Sequence, residues 1–157
     1  CNIKPGYSRF LHELEGASVD PWFWRDEQEQ RRLLDDSVSE LRKVLNPEEI
    51  VVLSLNADDK SCAGGPAPSG RHRFVPFRDI ASAEKGGIRY VTVHAFKGLE
   101  AAGIVITDIA CMDEHARALL YVGMSRARIR LVLLMHESCR KEYDRMLEAG
   151  LGLATGR

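Results

Sequence analysis

The sequence predicts a three-layer α/β domain built on a mainly parallel sheet. Three observations predict it. Apolar runs such as Ile50-Val51-Val52-Leu53-Ser54-Leu55, Ile104 to Ile109 and Leu131 to Leu134 are unbroken, as strands buried on both faces are. Segments with apolar residues at three- and four-residue spacing lie between them, so strands alternate with helices. Polar and charged side chains gather at the expected sheet edges: Thr92, His94, Lys97 and Glu100 at the end of a strand and in the turn after it, then Arg126 and Arg128 where a helix gives way to a strand. Ligands of open parallel sheets usually bind at the carboxyl edge, so the Thr92 to Glu100 group is expected there.

The bulk properties set the frame. A chain of 157 residues, 45% apolar and 29% charged, suits one globular domain spanning 1–157. Its apolar runs are too short to cross a bilayer, which argues against a membrane partner. Cys1 to Phe10 lacks the apolar core of a signal peptide, so a cytoplasmic location is expected. The chain does not open on Met and is expected to be a fragment of a larger protein. Four scattered cysteines form no Cys-x-x-Cys pair, which favours reduced thiols over a metal site. The net charge of −1 hides an asymmetry. Residues 1–60 hold 8 Lys/Arg against 13 Asp/Glu, and residues 61–157 hold 14 against 10. The mildly basic second part is compatible with a phosphate-bearing partner, and equally with an ordinary mixed surface.

Taken in order, residues 1–18 are weakly patterned, with a short helical stretch at Phe10 to Leu14. Trp22, Phe23 and Trp24 follow Pro21. Such a cluster can stack nucleic-acid bases, but an edge strand or core plug is the more usual use of it. Asp26 to Leu45 is expected to be a helix burying Leu33, Leu34, Val38, Leu41, Val44 and Leu45, stopped by Asn46-Pro47. The buried strand Ile50 to Leu55 comes next. Gly64, Gly65, Pro66, Pro68 and Gly70 then mark 56–71 as a flexible loop without a catalytic role. Arg73 to Phe77 reads as a short strand and Asp79 to Gly87 as a connection or short helix. A strand at Arg89 to Val93 should place Thr92 and His94 on one side. After the strand Ile104 to Ile109, Asp113 can cap a helix reaching about Ser125. Arg128 to His136 is a further strand. Ser138 to Ala149 is a last helix closed by Gly150, leaving 151–157 as a frayed tail.

What the sequence lacks narrows its chemistry. No Gly-x-x-x-x-Gly-Lys-Ser/Thr occurs, so the domain has no phosphate loop of its own. There is no nucleophile elbow and no kinase motif set. Asp113-Glu114 could hold magnesium but is better explained as a helix cap. Lys97 and Cys111 have no acid–base partner nearby in sequence, which disfavours a small-molecule enzyme. What remains could complete a site shared with another domain. Arg126 has the chemistry to stabilise a transferring phosphoryl group, Glu100 to accept from a ribose hydroxyl, and Thr92 and His94 to touch a nucleic-acid backbone. A solvated Lys/Glu turn and an arginine facing a helix C-terminus account for the same residues without any ligand.

Thr92-Val93-His94-Ala95-Phe96-Lys97-Gly98-Leu99-Glu100 resembles motif V of superfamily 1 helicases of the UvrD/Rep type, Thr-x-His-x-x-Lys-Gly-Leu-Glu. Leu120-Tyr121-Val122-Gly123-Met124-Ser125-Arg126-Ala127-Arg128 resembles their motif VI. The resemblance is sharp over about residues 88–135. It implies a second RecA-like domain, with ATP and magnesium bound mainly by an N-terminal RecA-like domain that is missing here. It further implies Arg126 as an arginine finger, Gly98 and Glu100 beside the nucleotide, and Thr92 and His94 on single-stranded DNA. Lys97 would couple the two sites, and Arg128 would be structural. No obvious motif IV arginine is present. The alternative is a non-catalytic α/β module that binds nucleic acid or protein and keeps helicase-like motifs.

Overall fold

The structure, a computed structural model, describes residues 18–64 and 70–154. Six strands form one sheet in the order β1-β6-β5-β2-β4-β3. They are β1 (Ser18–Trp24), β2 (Ile50–Ser54), β3 (Phe74–Pro76), β4 (Ile88–Thr92), β5 (Ala101–Ile109) and β6 (Ala127–His136). All five pairings are parallel, so the sheet goes beyond the expected mainly parallel arrangement. The helices are α1 (Glu27–Leu41), α2 (Ile80–Glu84), α3 (Glu114–Met124) and α4 (Arg140–Ala154).

Two separate apolar clusters make the three layers. Val51, Leu53, Ile104, Ile106, Leu131 and Leu133 face one way, against Leu119, Leu120 and Met124 of α3 and Tyr143 of α4. Ile50, Val52, Val105, Val132 and Leu134 face the other way, against Leu34, Val38 and Leu41 of α1. Alternate residues of each central strand therefore feed different cores, which is why these strands read as unbroken apolar runs. The RecA-like α/β class expected from the sequence is consistent with this architecture.

The central strand β5 is buried along its whole length, and its neighbours supply the level marks for the site. Ser54 at the end of β2 pairs with Thr92 of β4 on one side and Thr107 of β5 on the other. Thr92 therefore lies at the carboxyl edge, while Ala101 and Ala127 begin their strands together at the amino edge.

Several boundaries differ from expectation, each for a local reason. Helix α1 starts at its Asp26 cap but ends at Leu41, not Leu45, and Val44 is 63% exposed instead of buried. The residue before Pro47 must be extended, and Asn46 is, so the chain unwinds through a turn closed by Leu45 N–H to the Leu41 carbonyl at 2.9 Å. Of the 56–71 segment, expected to be flexible, residues 65–69 lie outside the described residues. The rest carries a 3-10 turn at Asp58–Lys60, buries Cys62 and Ala63, and fastens Arg71 to Asp35 of α1 at 2.7 Å. The last helix runs through Gly150 to Ala154, beyond the expected stop, because an interior glycine costs only about 1 kcal/mol. The stretch Phe10 to Leu14 and residues 155–157 lie outside the described residues.

The aromatic cluster serves the sheet, as its more usual use suggested. β1 is an edge strand, with Pro21 where a missing N–H costs no interior ladder bond. Trp24 is buried edge-on to His136 at 4.8 Å, and Phe23 packs edge-on to Tyr143 at 6.3 Å. Burial raises the Tyr143 phenol to a pKa of about 12.

Candidate functional site

The turn between β4 and β5 is tied down by its apolar residues and presents its polar ones. Val93 and Phe96 are buried, and Phe96 meets Phe77 edge-on at 5.7 Å. Thr92 Oγ1 accepts from the Ala95 N–H at 3.1 Å, and the Phe96 and Lys97 N–H groups donate to the Thr92 and His94 carbonyls. His94, Lys97, Gly98 and Glu100 are left exposed. Gly98 has φ 85°, a left-handed conformation that lets the turn unwind into β5. β4 stops at Thr92, so His94 belongs to the turn and does not alternate with Thr92 along a strand. The Thr92 hydroxyl, by capping the turn, is what ends that strand pattern.

The second motif forms the end of α3. Asp113 caps the helix by accepting from the Ala116 N–H at 2.7 Å. That bond and the Cys111 thiol hold the Asp113 carboxyl below the usual carboxylate range. At the other end, Gly123 lets α3 lie close on the sheet, since a Cβ there would sit 2.8 Å from the Ile106 Cδ1. Ser125 closes the helix, and Arg126 follows before β6 begins.

The two motifs meet through one backbone bond. The Ala101 N–H donates to the Arg126 carbonyl at 3.0 Å. Glu100 and Arg126 are thus neighbours at the amino edge of the sheet. This corrects the expectation that the whole Thr92 to Glu100 group lies at the carboxyl edge: Glu100 stands at the opposite one. Six residues of β5 separate Ala101 from the level of Thr107 and Thr92, or roughly 20 Å at strand rise. The turn holding Lys97 carries the chain from the Thr92/His94 level to the Glu100/Arg126 level.

The electrostatics of the amino edge are open-ended. Arg126 is half-buried, and its Nε is buried without a hydrogen-bond partner among the described residues. Its guanidinium makes no ion pair with any described carboxylate, and Glu100 is exposed and unpaired in the same sense. Arg128 is exposed and makes no hydrogen bond or ion pair with a described residue. Three cavities, of about 700, 490 and 470 Å³, include no residue of either motif in their lining. Among the described residues no cluster of three or more His, Cys, Asp or Glu could hold a metal.

Sequence reasoning missed one polar centre. Asp108, at the end of β5, has φ 65° and is buried. Its carboxylate accepts from Ser54 Oγ at 2.7 Å, Thr107 Oγ1 at 2.8 Å, the Cys62 N–H at 3.3 Å and Gln30 Nε2 at 3.4 Å. Its own N–H donates to Gln30 Oε1 at 2.7 Å. It ties α1, β2, β5 and the 56–71 segment together at the carboxyl edge. The clue was Thr107-Asp108, a polar pair inside an apolar run. Burial and the Asp108 charge push the Cys62 thiol far above its ordinary range, which removes it as a nucleophile.

An all-parallel six-stranded sheet between helical layers is consistent with a RecA-like fold. Residues 87–134, from the residue before β4 well into β6, match the family model described as the UvrD-like helicase C-terminal domain. The match holds both motifs and supports a UvrD/Rep-type C-terminal helicase domain; with the fold, it supports a helicase-type motor domain. Comparison with curated proteins gives no match. Among the described residues no helix is long and apolar enough to cross a membrane.

Proposed function

We propose that this chain is one half of an ATP-dependent DNA motor, supplying an arginine finger and part of a single-strand track to a site completed by an N-terminal RecA-like domain. The observation that carries the reading is the Ala101–Arg126 hydrogen bond, which makes Glu100 and Arg126 neighbours on an open rim. An arginine with a buried, unpartnered Nε and no carboxylate to neutralise it is a poor structural element and a good ligand for added negative charge.

The residues fit the triphosphate on that ground. ATP would bring the phosphoanhydride bond, with magnesium held mainly by the companion domain. Arg126 would lie against the terminal phosphate and offset charge that develops there. Glu100 would accept from the ribose, and Gly98 would keep the turn backbone close to the nucleotide. Thr92 and His94, roughly 20 Å away at the carboxyl edge, would bear on the strand. Lys97, between the two levels, would couple them. Separation of the two levels by one short turn supports a division of labour between fuel and track.

The split site gives a direct test. This chain alone should hydrolyse no ATP above background, with or without single-stranded DNA. Sustained turnover by the pure chain would overturn the reading.

A further inference from the structure

We propose that His115 is a second nucleic-acid contact and grips, together with His94, one phosphodiester of the bound strand. The inference rests on the reading of His94 as a strand contact. His115 belongs to neither motif. It lies in the first turn of α3, after β5, whereas His94 follows β4. The sheet order nevertheless brings the two rings together, with centroids 6.5 Å apart and planes tilted by 33°. Both side chains are exposed, and neither ring is hydrogen-bonded to a described residue.

The spacing suits a shared anion. One oxygen accepting an N–H from each ring needs nitrogens no more than about 6 Å apart, twice a hydrogen bond of about 2.9 Å. Rings with centroids 6.5 Å apart reach that by rotation alone. The surrounding charges leave room for it. The Asp113 carboxylate is already engaged by the Ala116 N–H and the Cys111 thiol, at 2.7 and 3.4 Å. Glu114 is exposed to solvent beside the pair, and Lys97 stands in the same turn as His94. A contact to phosphate from two elements would fix the strand's register without reading its sequence.

The test is a double-mutant cycle in the intact protein, binding a labelled oligothymidylate and the same oligomer with uncharged methylphosphonate linkages. His94→Ala and His115→Ala should each weaken binding of the normal strand by about tenfold, and the double variant should be little weaker than either, because both lose one phosphate. On the uncharged strand the His115→Ala defect should vanish. Unchanged melting temperatures would separate the effect from a weakened α3. If His94→Ala weakens binding and His115→Ala does not, the inference falls while the strand-track reading stands. If neither matters, the track reading itself falls. Additive defects, or a His115→Ala defect that persists on the uncharged strand, would overturn the shared-phosphate assignment.

Discussion

Glu100 and Arg126 stand side by side at the amino edge of the sheet because the N–H of Ala101 donates to the Arg126 carbonyl at 3.0 Å. A single ladder bond thus joins two motifs 26 positions apart. The strongest functional prediction follows from it. In the intact protein, Arg126→Ala should lower the ATP hydrolysis rate by on the order of 10³-fold or more while nucleotide binding persists. Steady-state turnover and equilibrium binding of a labelled nucleotide measure the two separately, and near-normal turnover would remove Arg126 from the site.

Gly98 tests the turn. A Cβ at this position would meet nothing within 4 Å, so any cost of Gly98→Ala comes from its φ of 85°. Forcing alanine into the left-handed region costs about 1–2 kcal/mol. Urea unfolding should show a loss of that size, or a rearranged turn with weakened ATP turnover. A variant indistinguishable in both would show that the turn does not need this backbone.

Asp108 tests the carboxyl edge. Asp108→Ala would strip the acceptor from Ser54, Thr107, Cys62 and Gln30 at once and place alanine at φ 65°. Buried donors left unpaired cost about 1–3 kcal/mol each, so a total loss of roughly 3 kcal/mol or more is expected. Asp108→Asn keeps one acceptor and tolerates the left-handed region, so it should lose less. Equal losses in the two variants would show that the hydrogen bonds are not what holds this edge.

The clamp between α1 and the chain at 71–72 should make stability depend on pH. Burial raises the Asp35 carboxyl, but the Arg71 guanidinium and the His72 and Arg71 N–H groups outweigh it, and its pKa falls below the ordinary value. Arg71 also pairs with Asp36. For His72 burial dominates over the pull of Asp35, so its pKa is lowered and the neutral ring stays on Ser39 at 2.9 Å. Both folded values lie below the unfolded ones, so both contributions are complete above the unfolded pKa and drain as pH falls. The His72 contribution should decline below about pH 6.5 and that of Asp35 below about pH 4. Urea midpoints at pH 7.5, 5.5 and 3.5 should fall in that order, with His72→Gln flattening the first step. A midpoint constant from pH 7.5 to 5.5 would exclude the His72 part.

The sequence by itself determined the fold class and the motifs. A strand buried on both faces must be apolar throughout, so Ile50 to Leu53, Ile104 to Ile106 and Leu131 to Leu134 announced a covered parallel sheet without any partner being known. Local rules also set the Asp113 cap and the extended backbone of Asn46 before Pro47, although the helix itself ends earlier, at Leu41. Only the tertiary structure decided which motif residues are neighbours. Strand order and register, set by how side chains pack across the sheet, put Glu100 beside Arg126 at one edge and His94 beside His115 at the other. The same packing turned Asp108 from a polar interruption into the tie of four segments, a role that depends on a backbone N–H 46 positions away and on side chains 54 and 78 positions away. Spacing along a chain fixes which face a residue takes, whereas contacts at such separations exist only once the layers have closed.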